Sequence, residues 1–308
     1  MKSKEVQAVM KPKVTIGVCV RDCEKFIKEA IGSISSQDFP HRLMEVVFVD
    51  DGSRDRTLSI IRDHSQEMDM CVKVFHQEWK GLGSARNRVI DNADGEFIVW
   101  VDGDMVLSRD YVRRQVEFME QNPNTGIAKG RYELSQGPSL ASTLEILSRA
   151  ADKMTDFNKN KTKSMGTGAS IYRIHAVKQA GGFDNNIKGY GEDWDIECRI
   201  RDAGWLLQTT QAQWRDYERK GLSYKELWHR YVKRGNDLYH FCRKNKGLIK
   251  FYRMLPPAGL LAGLRDAMVI FRILPRKVVF LLPFHHMLKT TAWCWGFLGA
   301  KLTNSDAV

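Results

Sequence analysis

The sequence lacks any uncharged apolar run of the ~18 to 20 residues that a helix needs to cross a bilayer. Residues Met1 to Lys13 are polar and charged and contain no apolar core of signal-peptide length. The six cysteines form no CxxC pair and no zinc-binding spacing, which argues against a zinc site and a disulfide framework. No internal repeat or low-complexity tract is present. We therefore expect a globular protein with reduced thiols that stays in the cytoplasm.

Positive charge is in excess. The chain has 48 Lys and Arg against 37 Asp and Glu, which gives a formal net charge of +11. Such an excess suits nucleic acid, an anionic membrane surface or a phosphorylated substrate as a partner. No RRM, KH, helix-turn-helix or zinc motif appears, so we expect no nucleic-acid partner. A nucleic-acid-binding protein is kept as an alternative from a different functional class.

Short apolar runs alternate with helical patterns over residues 14–210. The runs of strand type are Val14–Val20, Glu45–Val49, Cys71–Phe75 and Glu96–Val101. The last is almost continuously apolar, as is typical of a strand buried on both faces. This alternation predicts an α/β fold with a mostly parallel sheet and flanking helices. Ligands of such sheets bind at the carboxyl ends of the strands.

The character of the sequence changes after Thr210. The stretch from Trp214 to Asn245 is polar, basic and helical in pattern, and from Lys246 to Leu302 basic residues are interleaved with apolar clusters. We therefore predict an α/β domain over residues 1–212 and a basic, apolar helical region over residues 213–308.

The last part of the chain combines apolar clusters with positive charge. Between residues 243 and 301 the only acidic residue is Asp266, and Lys289 interrupts the longest apolar stretch. Trp293 and Trp295 suit the headgroup level of a membrane. A cation-rich amphipathic surface lying on anionic lipid is the favoured interpretation. A helical cap packed on the preceding domain and a membrane-spanning hairpin are the alternatives.

Two predicted strands lead directly into carboxylates. Val46–Val49 precedes Asp50-Asp51-Gly52-Ser53, and Phe97–Val101 precedes Asp102-Gly103-Asp104. Acids on neighbouring strand ends repel each other unless a cation or hydrogen bonds neutralise them. Mg²⁺ or Mn²⁺ would do so, because these ions take oxygen ligands from one or two carboxylates and from substrate phosphates. Solvated turns are the alternative, since Asp-Gly is a common turn dipeptide.

A third acidic motif, Gly191-Glu192-Asp193-Trp194-Asp195, begins a predicted helix. Acidic residues in a first helical turn are favoured by the helix dipole, so capping explains part of the motif. The functional interpretation is that one of these carboxylates is a general base, which a rigid helix start would position well.

Together with Gly81–Asn87 and Gly181–Asp184, these motifs resemble glycosyltransferase family 2, whose members are inverting enzymes with the GT-A fold. The resemblance covers about residues 13–212. It implies a GT-A catalytic domain that uses a nucleoside-diphosphate sugar, with UDP as the favoured nucleotide, and Mn²⁺ or Mg²⁺ as the cofactor.

The resemblance also implies roles for the donor-binding residues. Asp51 would hold the nucleotide base or ribose, and Arg86 would contact the nucleotide. Asp102 and Asp104 match the DxD pair that binds the metal ion and the diphosphate.

Asp193 matches the catalytic base of the family, with Glu192 beside it. In the implied reaction Asp193 deprotonates an acceptor hydroxyl, and a single displacement inverts the anomeric configuration. The expected acceptor is a lipid-linked or membrane-associated saccharide on the cytoplasmic face of the membrane.

Other functions stay open at this point. A polyprenyl-phosphate monosaccharide synthase and a non-enzymatic sugar-nucleotide-binding protein are both alternatives. A nucleotidyltransferase also needs carboxylates and a metal ion. Such an enzyme usually has a lysine-bearing glycine-rich loop where this chain has Arg21-Asp22-Cys23-Glu24.

The chain departs from the family pattern at one metal ligand. Many relatives have a histidine after the strand that matches Leu206–Thr210, but Gln213–Asp216 contains none. Asp216 or His229 could substitute for it. Three cationic side chains could steady the diphosphate instead: Arg230, Lys233 and Arg234.

Overall fold

In the computed structural model, the described residues are 11–134, 137–152, 164–187, 191–216, 222–244, 252 and 255–305. They form an eight-stranded sheet with flanking helices and a C-terminal group of helices. The strands are β1 (Val14–Val20), β2 (Met44–Asp51), β3 (Cys71–Gln77), β4 (Phe97–Trp100), β5 (Met105–Leu107), β6 (Thr125–Tyr132), β7 (Ser170–Arg173) and β8 (Leu206–Asp216). The α-helices are α1 (Ile27–Ser35), α2 (Thr57–Ser65), α3 (Leu82–Asn92), α4 (Tyr111–Gln121), α5 (Leu140–Asp152), α6 (Ile174–Gln179), α7 (Glu192–Asp202), α8 (Tyr224–Lys244), α9 (Pro256–Ile273) and α10 (Leu282–Ser305).

The sheet order is β3-β2-β1-β4-β7-β6-β8-β5. The first four of these strands are parallel. In the second half, β7 is antiparallel to β4 and β6, β6 is parallel to β8, and β5 is antiparallel to β8. The predicted α/β fold with a mostly parallel sheet is confirmed. Because β2 and β4 lie on opposite sides of β1, the carboxyl ends of β1 and β4 flank a crevice where such sheets bind ligands.

Both faces of the sheet are covered. In β2, Val46 and Phe48 belong to one buried cluster, while Val47 and Val49 belong to another on the opposite face. This alternation follows from the two-residue period of a strand. On the first of these faces α1 buries residues at helical spacing, namely Ile27, Ala30, Ile31 and Ile34. The rigid sheet therefore holds the strand ends in fixed positions.

The sheet continues beyond the predicted domain boundary at residue 212. β8 runs to Asp216, and its last three residues, Trp214 to Asp216, pair with β5. The Trp214 indole N–H also donates a hydrogen bond of 3.1 Å to the Gly130 carbonyl. The boundary therefore falls inside a strand, and the division of the chain into two domains stays a prediction.

The helical C-terminal region is confirmed, and it packs closely on the rest of the molecule. α10 contacts α8, α9 and α5. Two glycines allow α8 and α10 to approach: a Cβ on Gly235 would lie 2.0 Å from the Trp293 carbonyl oxygen, and one on Gly296 would lie 1.9 Å from that of Val232. Any larger residue at these positions would separate the helices.

The two tryptophans expected at a headgroup interface lie in different environments. Trp295 is 70% exposed, as that interpretation requires. Trp293, in contrast, is partly buried and packs against Trp194 and Leu238. Lys289 is also buried. No helix among the described residues is both long enough and apolar enough to span a bilayer.

Candidate active site

A cavity of about 1010 Å³ opens at the carboxyl ends of β1 and β4 and extends between α5, α8 and α10. Five of the six residues to which the resemblance assigns roles line this cavity. They are Arg86, Asp102, Asp104, Glu192 and Asp193.

Asp102 and Asp104 lie in the tight turn between β4 and β5. The Met105 N–H donates a hydrogen bond of 3.0 Å to the Asp102 carbonyl, which closes the turn. A Cβ on Gly103 would lie 2.6 Å from the Cys23 Sγ, so a larger residue would not fit between the two acids without displacing its neighbours. The turn thus places two carboxylates beside each other at the end of a buried strand.

The Asp102 carboxyl lies in an environment that disfavours an isolated negative charge. Burial raises the pKa of Asp102 to about 6, with the Arg86 guanidinium opposing the rise and the Asp104 carboxylate adding to it. Asp216 acts in the same direction as Asp104. A bound cation would relieve this penalty.

A glycine lies directly beside the Asp102 carboxylate, which lines the cavity. A Cβ on Gly168 would lie 2.5 Å from the Asp102 Oδ2, so the glycine leaves this oxygen accessible. Within the part of the chain that the structure describes, no three His, Cys, Asp or Glu side chains are grouped to hold a metal ion by themselves. The pair Asp102 and Asp104 fits Mg²⁺ or Mn²⁺, because these ions take one or two protein carboxylates and complete their coordination with waters and substrate phosphates.

Arg86 and Glu192 form a buried ion pair beside the carboxylates. The Arg86 Nη1 donates a hydrogen bond of 2.6 Å to the Glu192 Oε1. Burial raises the pKa of Glu192 to about 7, with Asp193 adding to the rise and Arg86 opposing it. Since Arg86 is engaged by Glu192, its expected contact with the nucleotide stays a prediction.

Asp193 lies in the first turn of α7, as predicted. The helix starts after Gly191, whose φ of 111° favours glycine. The Asp193 Oδ1 accepts a hydrogen bond of 2.8 Å from the Trp194 N–H. Its Oδ2 faces Gly166, at which a Cβ would lie 3.5 Å away. The helix start thus fixes this carboxylate at the cavity wall.

The segment before β7 that faces Asp193, residues 164–168, is fixed by hydrogen bonds to two charged side chains. The Glu197 carboxylate accepts hydrogen bonds from the N–H groups of Met165 and Gly166, at 2.9 and 2.8 Å. The Lys129 ammonium donates to the carbonyls of Gly166, at 3.0 Å, and Gly168. Neither Lys129 nor Glu197 was among the predicted site residues, because only the fold brings these elements together.

Asp51 lies at the carboxyl end of β2 but does not line the cavity. Its carboxylate accepts hydrogen bonds from the Gln77 side chain at 2.8 Å and from the N–H groups of Lys80 and Gly81 at 2.9 and 3.0 Å. These bonds tie the segment before α3 to the sheet. The expected contact of Asp51 with the base or ribose stays a prediction.

The residues that could replace the family's metal-binding histidine, or steady the diphosphate instead, differ in whether they line the cavity. Asp216 lines the cavity and forms an ion pair with Arg149. His229 is exposed on α8 and does not line the cavity. Of the three cationic candidates, Arg230 and Arg234 line the cavity, whereas Lys233 is exposed outside it.

A buried charge network around Glu145 was not predicted. The Glu145 carboxylate accepts hydrogen bonds from the Lys289 Nζ at 2.9 Å, the Arg149 Nε at 3.4 Å and the Tyr231 hydroxyl at 3.1 Å, and contacts the His285 ring at 3.1 Å. Burial alone would raise the pKa of Glu145, but Lys289, His285 and Arg149 outweigh it and hold the pKa well below its usual range. This network joins α5 to α8 and α10.

Comparison with known proteins agrees with this geometry. The model of glycosyl transferase family 2 matches residues 15–180, more than half of the 308 residues. The chain belongs to this family.

This chain is similar to known transferases, but each match covers only part of the relative's length. It is 32% identical to the poly(ribitol-phosphate) beta-N-acetylglucosaminyltransferase TarS of Staphylococcus aureus over 110 residues, which are 36% of this chain and 19% of TarS. It is 25% identical to the glycosyltransferase AglE of Haloferax volcanii over 198 residues, or 64% of each chain. The match to TarS thus spans less than a fifth of that protein.

Solved structures show that the family member has the GT-A fold. The mannosyltransferase PcManGT from Pyrobaculum calidifontis, solved with GDP-Man and Mn²⁺, has a TM-score of 0.59 at 19% identity and covers 97% of this chain and 75% of its own. Residues 1–349 of Staphylococcus aureus TarS have a TM-score of 0.52 at 17% identity, with coverages of 94% and 92%.

Proposed function

We propose that the protein is a metal-dependent, inverting glycosyltransferase that moves a sugar from a nucleoside-diphosphate sugar to an acceptor hydroxyl. The observation that carries this proposal is the meeting of Asp102, Asp104 and Asp193 at one cavity of a family 2 fold. These carboxylates come from two distant parts of the chain, so chance turn formation does not explain their convergence.

The donor side of the reaction uses the turn after β4. Asp102 and Asp104 would hold Mn²⁺ or Mg²⁺, and the ion when bound would supply positive charge to the departing nucleoside diphosphate. The complex of PcManGT with GDP-Man and Mn²⁺ supports this assignment. UDP is the favoured nucleotide, which a fold-level match to GalNAc-T7, solved with UDP, GalNAc and Mn²⁺, supports.

The acceptor side uses the start of α7. Asp193 removes the proton from the acceptor hydroxyl, and the resulting nucleophile attacks the anomeric carbon from the face opposite the leaving group. Glu192 lies beside Asp193 and is held by Arg86. A single displacement of this kind inverts the anomeric configuration.

We place the acceptor at a membrane surface because α9 and α10 expose a large apolar surface. Of the described residues 255–303, every exposed charged side chain is cationic, since Asp266 is buried. Apolar side chains at helical spacing surround these cations. We call the exposed residues of α9, α10 and the segment between them the apolar–basic face: Leu261, Leu264, Met268, Phe271, Ile273, Phe280, Leu281, Phe284, Met287, Trp295, Leu298 and Leu302, with Arg265, Arg272, Arg276, Lys277 and Lys301.

Such a face suits the surface of a bilayer that contains anionic lipid. Docking there would bring the cavity to a lipid-linked or membrane-associated saccharide. The expected location is therefore peripheral, on the cytoplasmic face of the membrane.

A donor panel tests the proposed activity. The full-length protein is incubated with UDP-, GDP- and TDP-sugars in the presence of Mn²⁺, Mg²⁺ or EDTA, and release of the nucleoside diphosphate is measured. We expect release from one nucleotide class that requires a divalent ion. Equal release with EDTA would contradict the metal dependence, and no release or binding with any donor would contradict the activity.

A further inference from the structure

One buried hydroxyl group in the cavity wall takes part in none of the contacts described above. It belongs to Thr167, which is 2% exposed and lines the cavity just before β7. The main chain of Thr167 is engaged, since its carbonyl accepts a hydrogen bond of 2.9 Å from the Ser170 N–H. Its side-chain hydroxyl shares a hydrogen bond with none of the residues that the structure describes. Because buried polar groups are normally hydrogen-bonded, this hydroxyl is suited to a bound molecule.

The position of Thr167 relates it to both ends of the proposed reaction. A Cβ on Gly166 would lie 3.5 Å from the Asp193 Oδ2, and one on Gly168 would lie 2.5 Å from the Asp102 Oδ2. Two residues span at most about 7 Å, so the chain passes from the donor carboxylate to the proposed base within the width of a single sugar. Thr167 is the residue between these two points.

The main chain on either side of Thr167 is held in place. The Ser170 hydroxyl donates a hydrogen bond of 2.8 Å to the Gly166 carbonyl, in addition to the bonds from the two charged side chains described above. Ala169 has a φ of 52°, a conformation that residues other than glycine rarely adopt. Its carbonyl accepts hydrogen bonds from the Gly130 N–H at 3.2 Å and the Tyr111 hydroxyl at 2.6 Å. A ligand that binds here therefore does not have to order this part of the backbone.

We propose that the Thr167 hydroxyl binds a polar ring substituent of the transferred sugar and thereby helps to select the donor sugar. This proposal rests on the function proposed above, which places the diphosphate at Asp102 and Asp104 and the acceptor hydroxyl at Asp193. In a single displacement the anomeric carbon lies between the leaving group and the attacking oxygen. The sugar therefore occupies the space along residues 166–168. A threonine hydroxyl both donates and accepts, as a sugar hydroxyl or acetamido group requires.

Replacing Thr167 by valine tests the proposal, because valine keeps the branched shape and lacks the hydroxyl. Thr167→Ala is a second variant without the hydroxyl, in case valine disturbs the fold, and Thr167→Ser retains the hydroxyl. Thr209→Val is the matched control, since Thr209 lies on β8 outside the cavity. Thermal unfolding identifies the variants that keep the stability of the unmodified protein.

The probes separate the sugar from the nucleotide. Binding of UDP-N-acetylglucosamine, UDP-glucose, GDP-mannose and TDP-glucose to the full-length protein with Mn²⁺ is measured by calorimetry. UDP, GDP and TDP are titrated in the same way. The sugar nucleotide that the unmodified protein binds most tightly is then compared with its own nucleoside diphosphate in each variant.

We expect Thr167→Val to weaken binding of the sugar nucleotide by about three- to tenfold, the range for one hydrogen bond between uncharged groups. Affinity for the matching nucleoside diphosphate should change by less than about twofold, because the hydroxyl contacts the sugar. Thr167→Ser should retain most of the affinity for the sugar nucleotide. Thr209→Val should leave both affinities unchanged.

Two results would overturn the proposal and leave the proposed function intact. One is equal affinity of the unmodified protein and the hydroxyl-free variants for the sugar nucleotide. The other is an equal loss of affinity for the sugar nucleotide and the nucleoside diphosphate in a stably folded variant, which would assign Thr167 to the nucleotide. If the unmodified protein bound none of the seven probes, the proposed function itself would be contradicted, and this proposal with it.

Discussion

The two walls of the cavity differ in charge and in their place in the chain. The strand-end wall presents the carboxylates of Asp102 and Asp104, with Asp193 from the start of α7 beside them, whereas the helical wall, formed by α5, α8 and α10, presents Glu145, Arg149, Arg230, Arg234 and Lys289. Asp102 and Asp104 lie within the residues that match the family model, while α8 and α10 lie beyond them. In the proposed reaction, Asp102 and Asp104 serve the donor and Asp193 serves the acceptor, whereas the buried ion pairs of the helical wall join α5, α8 and α10. Substitutions in the strand-end wall should therefore affect the reaction, and substitutions in the helical wall should affect stability.

The largest expected effect comes from the strand-end wall. Asp193→Asn removes the proposed general base, and turnover should fall by about 100- to 10,000-fold. Donor affinity should change little, because Asp193 acts on the acceptor. Asp91→Asn, an exposed substitution on α3, is the control. Turnover of the Asp193 variant within tenfold of the unmodified protein would exclude Asp193 as the base.

The next effect concerns stability of the helical wall. Glu145→Gln leaves the buried Lys289 ammonium without its carboxylate, which should lower the free energy of unfolding at pH 7 by about 3 to 5 kcal/mol. Chemical denaturation measures this change. Glu117→Gln is the control, because its ion pair with Arg113 is exposed and such pairs contribute about 0 to 1 kcal/mol.

The stability difference at Glu145 should also depend on pH. The folded-state pKa of Glu145 lies well below its ordinary value of 4.5, so its contribution is fully present above pH 4.5. It is lost as the pH falls through the folded-state value, because the carboxylate then takes up a proton. The variant and the unmodified protein should therefore converge only below pH 4.5. Convergence between pH 7 and pH 5 would show that Glu145 is not held ionised by the network.

A smaller effect is expected at the apolar–basic face. Phe284→Glu combined with Leu302→Glu removes two exposed apolar side chains, each of which contributes about 1.5 to 3 kcal/mol when fully buried. Flotation with phosphatidylglycerol vesicles should show at least about hundredfold weaker binding. Leu206→Glu, an exposed site on β8, should leave vesicle binding unchanged. Equal flotation of all three proteins would contradict membrane docking through α9 and α10.

The smallest expected effect concerns the space in front of Asp102. Gly168→Ala places a methyl group where a Cβ would lie 2.5 Å from the Asp102 Oδ2 and 2.3 Å from the Met105 Cε. Overpacking of this kind costs about 1 to 3 kcal/mol, and Mn²⁺-dependent nucleotide binding should weaken with it. Gly32→Ala, with open space around its Cβ, should instead stabilise α1 by up to about 1 kcal/mol. Unchanged nucleotide binding in the Gly168 variant would show that this oxygen does not face the donor.

The strand-end wall could be predicted from the sequence because its signals are local. Buried strands β2 and β4 are continuous apolar runs, and the acids follow each run directly. Gly191 and the acids after it likewise indicate the start of α7. The mixed pairing in the second half of the sheet was not predicted, since pairing between β6, β7 and β8 depends on contacts between distant segments.

The helical wall could not be predicted, because its pairs join residues far apart in sequence. Glu145 and Lys289 are separated by 144 positions, and Glu145 and Tyr231 by 86. Patterns along a helix indicate which residues are buried but not which helix covers them. One signal was available: Glu145 and Lys289 are single charged residues within apolar helical stretches, and buried charges of opposite sign require each other.

The separation of Glu145 and Lys289 also bears on how the protein is made. At about 5 to 20 residues per second, the ribosome adds Lys289 roughly 7 to 29 seconds after Glu145. During that interval burial of the Glu145 carboxylate is less favourable, since the Lys289 ammonium that contacts it in the folded protein has not yet been made. The sheet and its strand-end acids can fold on the nascent chain, but the cavity is closed only when α10 emerges. The helical side of the cavity is therefore completed only after the sheet has been synthesised.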